Sequence, residues 1–107
     1  MLKEFVKHVA TKTGLNEAES RFAIGVVLNA AERQGATFSE FLFQKIPGVR
    51  TLAAQAGSDI GAATGVIARL IEQTPAGRSA VAFQMVSDLT RNGLGPNQIG
   101  ELMPSIS

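Results

Sequence analysis

The sequence predicts an all-α fold, a compact bundle of about five to six helices with no sheet, in one domain spanning residues 1–107. Three observations carry this prediction. Apolar residues recur three and four apart through most of the chain, and alternation with a period of two is absent. Tyr and Trp, which favour strands, are missing altogether. Finally, the pentapeptide Thr11-Lys12-Thr13-Gly14-Leu15 returns as Thr90-Arg91-Asn92-Gly93-Leu94, each time after an apolar stretch of helical spacing. A glycine just past the last turn can take the left-handed conformation that stops a helix, and the following leucine folds back onto that turn.

The elements follow in order. Leu2, Phe5, Val6 and Val9 give an amphipathic first helix from Leu2 to Thr13. Asn16 stands three residues before Glu19, the spacing of a capping box, and opens a second helix from about Glu17 to Gln34. Its apolar residues, among them Phe22, Ile24, Val26, Val27 and Leu28, wrap around much of the circumference, so this is the expected central helix. Gly35 ends it. Thr37 precedes Glu40 by three, again a capping-box spacing, and starts a short helix with Phe38, Phe41, Leu42 and Ile46, stopped by Pro47-Gly48.

Beyond that corner, Val49 to Ala56 reads as a further helical turn or two, followed by glycines at 57, 61 and 65. In a continuous helix these would form one smooth ridge, although each interior glycine costs about 1 kcal/mol relative to alanine. The preferred reading is a break at Gly57, with Ser58 and Asp59 capping a new helix. Ile60, Ala63, Ile67, Leu70 and Ile71 are its apolar stripe, and Gly61 and Gly65 its close-contact positions. Pro75-Ala76-Gly77 separates it from a helix that Ser79 caps or joins, carrying Val81, Ala82, Phe83, Val86 and Leu89. Pro96 opens a last short helix with Ile99, Leu102 and Met103, ending before Pro104.

Composition bounds the chemistry. Of 107 residues, 45% are hydrophobic, and ten basic against nine acidic side chains leave a formal net charge of +1, so no strong whole-chain field draws nucleic acid. The absence of cysteine removes disulfides, thiolate metal sites and a cysteine nucleophile, and agrees with a cytoplasmic location. No cofactor or metal is expected, since His8 is the only histidine. The N-terminal residues lack the uninterrupted apolar core of a secretory signal. No membrane span is expected either, because Gln55, Asp59 and Arg69 interrupt the most apolar stretch, Leu52 to Ile71.

No set of residues meets both a chemical and a spacing requirement for catalysis, so an enzyme is not expected. His8 has Glu4 one turn away, but no nucleophile elbow accompanies them. Gly57-Ser58-Asp59-Ile60-Gly61 has the glycines of a phosphate loop without its lysine or its preceding strand. Two other readings remain. Phe43 is displaced from the face of Phe38, Phe41 and Leu42, and together with Gly61 and Gly65 it is a candidate contact for a protein partner or a second copy, a homodimer included. Alternatively, Lys3, Lys7, Lys12 and Arg21 on a helix, turn and helix are candidate phosphate contacts for nucleic acid, although Glu4, Glu17 and Glu19 lie beside them.

Two resemblances attach to these residues. The stretch from Phe5-Val6 through Thr13-Gly14-Leu15-Asn16 to Val27-Leu28 resembles the N-terminal helix-turn-helix of the histone-like HU proteins. There this part mainly builds the dimer, while later β-arms grip DNA. No arm follows here, so the resemblance does not carry DNA binding. The Thr13-Gly14-Leu15 corner and its following helix, Phe41-Leu42 to Ile46-Pro47-Gly48-Val49, and Asn92-Gly93-Leu94 with Ile99 to Met103-Pro104 are together similar to small bacterial helical domains of unknown function of the VcgC/VcgE type. That resemblance spans nearly the whole chain. It implies a helical fold and offers no activity or functional residue to transfer.

Overall fold

A computed structural model describes residues 1–107 and is helical throughout, with no strand. It has seven helices rather than five to six: α1 (Leu2–Thr13), α2 (Glu17–Arg33), α3 (Thr37–Lys45), α4 (Val49–Asp59), α5 (Val66–Glu72), α6 (Pro75–Arg91) and α7 (Pro96–Ile106). The additional helices come from the middle of the chain, where the expected break lies elsewhere.

α2 is the centre of the bundle, touching α1, α3, α4, α6 and α7. It begins as its capping box requires: Glu19 N–H donates to Asn16 Oδ1 at 2.8 Å, and Asn16 N–H to Glu19 Oε1 at 2.9 Å. Ile24, Val26, Val27 and Leu28 are all buried, with Val6 and Val9 of α1, Val49 of α4, Leu89 of α6 and Leu102 of α7 completing the core. The helix can be buried on several sides because small residues let α4 come close. A Cβ on Gly25 would stand 2.8 Å from the Ala56 Cβ and nearer still to the Leu52 carbonyl oxygen. Gly57 faces the Asn29 amide in the same tight manner. The close-packing glycines are therefore Gly25 and Gly57, on facing helices.

Both Gly-Leu corners are left-handed helix stops, with φ of 77° at Gly14 and 98° at Gly93, and both leucines are buried. Their hydrogen bonds differ. Leu94 N–H donates back to Leu89 O at 3.1 Å, whereas Leu15 N–H donates to the Thr13 hydroxyl at 3.3 Å. Thr13 in turn donates to Val9 O at 2.7 Å, so its side chain replaces one of the carbonyl acceptors of the usual stop. The corners bring α1 against α2 and α6 against α7, and α1 packs extensively on α7.

Several expected boundaries move. Thr37 is the first residue of α3 and not its cap; Ala36 occupies the cap position, without a side-chain bond. α4 passes through Gly57 and Ser58 to Asp59, because the contact of Gly57 with Asn29 offsets the helix cost of the glycine. The chain breaks instead at Gly61, which is left-handed at φ 71°, with Ala62 N–H donating to Gly57 O at 2.9 Å. Gly65 then caps α5 in extended conformation. Gly61 and Gly65 thus lie in the connection, not on a helical ridge. Pro75 to Gly77 likewise do not separate two helices. They are the first turn of α6, with Pro75 at its opening position and Gly77 N–H donating to the Thr74 hydroxyl at 3.1 Å. α7 continues through Pro104, its last turn anchored by buried Leu102 and Ile106.

Candidate protein interface

The break at 60–65 turns α5 into an inverted helix. At about 100° per residue, Val66, Ile67, Leu70 and Ile71 fall within one arc of its surface, and Ala68, Arg69 and Glu72 fall on the other. The aliphatic arc faces outward: its four side chains are between 61% and 77% exposed, and no residue of α5 is buried. The inward arc is the one that carries charge. Arg33 of α2 grips Glu72 with a planar fork, Nε lying 3.2 Å from Oε1 and 3.1 Å from Oε2 while Nη2 also reaches Oε2. Both side chains are largely sealed from solvent. Arg33 Nη1 further donates to Asn29 Oδ1 at 3.3 Å, so one buried network joins α5 to the central helix.

α6 holds the other side of this hairpin. A Cβ on Gly77 would overlap the Ile71 carbonyl oxygen, so only glycine permits the tight approach of α6 to the end of α5. Ile71 and Ala80 line one shallow groove between the two helices. Phe83, three residues beyond Ala80 and hence next to it on the helix surface, is 80% exposed, and Val86 one turn further is 43% exposed. The apolar surface of α5 thus reaches α6 at Ile71 and Ala80, with Phe83 next to them, whereas Val86 lies half a turn of the helix away from Gly77 and so on the side of α6 remote from α5. Ile67, Leu70 and Ile71, read in the sequence as an apolar stripe, lie on the outside of the molecule. The signal that marks them is the pair Arg69 and Glu72, the only charges of α5, which sit on the opposite arc and find their surroundings inside the molecule.

The other candidate residues are placed differently. Phe43 is not left outside: it is half-buried against the core, with the Arg50 guanidinium 4.4 Å from its ring centre. Phe41 is the exposed member, covered only by Lys45 at 5.6 Å. The reason is that α3 turns the arc of Ser39, Leu42, Phe43 and Ile46 inward, which displaces Phe41. Gly61 and Gly65 are exposed, and a Cβ at either would meet nothing within 4 Å, so no close contact in the chain depends on them.

The candidate phosphate contacts do not form one patch. Lys3 and Lys7 are neighbours on α1, but Lys12 comes round to the far side, where it lines a groove with His8 and Glu101. Arg21 is half-buried and paired with Glu17 at 3.6 Å. Glu4 is likewise occupied, not with His8 but with the α-ammonium of Met1 at 3.2 Å. That hydrogen bond, together with the Glu4 backbone amide and the ammonium charge, holds the Glu4 carboxyl below the usual carboxylate range.

No three His, Asp or Glu side chains gather as a metal site, and no helix is long and apolar enough to cross a membrane. Comparison with protein-family models, with curated proteins and with solved structures found no match to this chain, so the functional reading stands on the geometry of the α5–α6 hairpin.

Proposed function

We propose that this chain is a non-catalytic protein-contact module that self-associates through the outward face of α5 and α6. The observation that carries the reading is the inversion of α5, whose charges face the protein and whose aliphatic side chains face solvent. Full burial of such a side chain is worth about 1.5–3 kcal/mol, equivalent to about 60–120 Å² each. Val66, Ile67, Leu70, Ile71 and Phe83, partly exposed as they are, thus present on the order of 300 Å². A standard interface buries about 800 Å² per partner, roughly 60% of it apolar. The hairpin supplies most of that apolar share. The charges at the seam between α5 and α6, Arg33 and Glu72, are paired with each other, so two copies meet across the face without like-charge opposition, as an isologous contact requires.

Sedimentation over a broad concentration range tests the reading. Reversible dimerisation is expected, converted to monomer by Ile67→Glu or Leu70→Glu with the helical circular dichroism retained. A wild-type protein that stays monomeric throughout, or a dimer indifferent to both substitutions, overturns it.

A further inference from the structure

The two glycine-leucine corners differ in the residue before the glycine, Thr13 at one and Asn92 at the other. Of Asn16, Asn29, Asn92 and Asn97, only Asn92 precedes a glycine. Glycine lacks the Cβ that shields a main-chain nitrogen, so Gly93 N meets no steric barrier in approaching the side-chain carbonyl of the residue before it. Asn92 is exposed, and water reaches whatever forms there.

In the closed corner both reacting groups are engaged. The Asn92 side-chain amide donates to Asp88 O at 2.7 Å, which holds it back along α6. Gly93 N–H donates to Thr90 O at 3.1 Å, and this is the proton that must leave before the nitrogen can attack. Leu94 locks the corner from the other side: it is buried, and its N–H donates to Leu89 O at 3.1 Å. Helix ends open more readily than helix centres, and opening this one stop releases both groups together.

We propose that Asn92 is a site of spontaneous deamidation, with water as the only co-reactant, and that the Gly93-Leu94 stop gates it. Gly93 N loses its proton and bonds to Asn92 Cγ, the Cγ–Nδ2 bond breaks, and the amide nitrogen leaves as ammonia with that proton. Water then opens the succinimide at either carbonyl, giving aspartate or isoaspartate at position 92 with no change of oxidation state. Either product puts a carboxylate where an amide donor faced the Asp88 carbonyl, at the negative end of α6. Asp59 and Asp88 already line the adjoining groove, against the single cation of Arg91. Isoaspartate also lengthens the main chain immediately before the seat of Leu94. The modification therefore loosens the corner between α6 and α7, and it is not reversed by closing the stop again.

Peptide mass spectrometry follows the conversion of amide to acid in warm, mildly alkaline buffer, for the folded protein and for the chain unfolded in guanidinium chloride. In the unfolded chain Asn92 is expected to convert faster than Asn97, which is also exposed in the fold but precedes glutamine. In the folded protein the Asn92 rate should fall by about tenfold or more. Leu94→Ala keeps the asparagine and glycine but removes the buried side chain that seats the stop, and should raise the folded-state rate by about tenfold. Phe43→Ala weakens the fold at α3, away from the stop, and should leave that rate within about twofold of wild type. The deamidated protein should unfold at a lower denaturant concentration than the unmodified one. Should Leu94→Ala fail to fold, the wild-type rates in the two states decide. An unfolded-state rate no faster than that of Asn97, a folded-state rate equal to the unfolded one, equal acceleration by Phe43→Ala and Leu94→Ala, or a deamidated protein as stable as the original overturns the proposal.

Discussion

Adding one methyl group at Gly25 is expected to unfold this protein more easily, and adding the same group at Gly100 to make it harder to unfold. The Cβ of Gly25→Ala would sit 2.8 Å from the Ala56 Cβ and closer still to the Leu52 carbonyl oxygen. Ordinary carbon contacts lie near 3.5–4.0 Å, so α2 and α4 must separate by about 1 Å. Backbone forms part of the obstruction, so no side-chain rotation relieves it. Overpacking of this kind costs about 1–3 kcal/mol, and a gap of about 1 Å along the seam forfeits up to half of its dispersion attraction. The better helix propensity of alanine returns at most about 1 kcal/mol. The net expectation is a loss of about 2 kcal/mol, or a melting temperature lower by about 10 °C for a domain of this size. At Gly100, inside α7, a Cβ meets nothing within 4 Å, and only the propensity gain of about 0.5–1 kcal/mol remains. Urea unfolding followed by far-ultraviolet circular dichroism reads both variants on one scale. A Gly25→Ala midpoint equal to or above wild type refutes the close-packing argument.

Other outcomes follow from the same geometry. Glu72→Gln leaves the Arg33 charge buried without its partner and should cost about 3 kcal/mol. Replacing both residues by apolar ones of similar volume should restore most of that loss, and a Glu72→Gln midpoint equal to wild type would rule out the ion pair as the anchor of α5. Phe43→Ala should destabilise by about 1–2 kcal/mol, through lost core packing and the Arg50 stack, while Phe41→Ala should stay within about 0.5 kcal/mol of wild type. Equal effects at the two positions would show that α3 is rotated from the orientation described. The Ile67→Glu and Leu70→Glu variants test self-association.

Much of the fold was legible in the sequence, and the parts that were share a cause. The Asn16 and Glu19 box, the stops at Gly14, Gly35 and Gly93, and the central position of α2 all rest on hydrogen bonds or periodicity within a few residues of one another. The misplaced elements rest on contacts the local pattern does not contain. Gly57 looked like a break because Ser58 and Asp59 after it are good caps, yet Asn29, distant in sequence, fills the space opposite it and the helix runs on. Pro75 to Gly77 looked like a loop because the role of Gly77 appears only when α5 is folded against α6. Phe43 and Phe41 exchanged places because the rotation of α3 is set by what it packs on, not by its own short pattern.

The sequence by itself therefore determined that the chain is helical, where most helices start and stop, and which helix is central, since caps, glycine stops and helical period act over one or two turns. Only the tertiary structure decided which stripe of each helix faces inward. For α5, the apolar stripe alone pointed into the core, but the Arg33 and Glu72 pair, 39 residues apart, holds the opposite arc against α2. An ion pair loses its hydration when buried and must be matched in place, whereas aliphatic side chains can await a second surface. That contact leaves Ile67, Leu70 and Ile71 outside and turns Arg69 inward with Glu72.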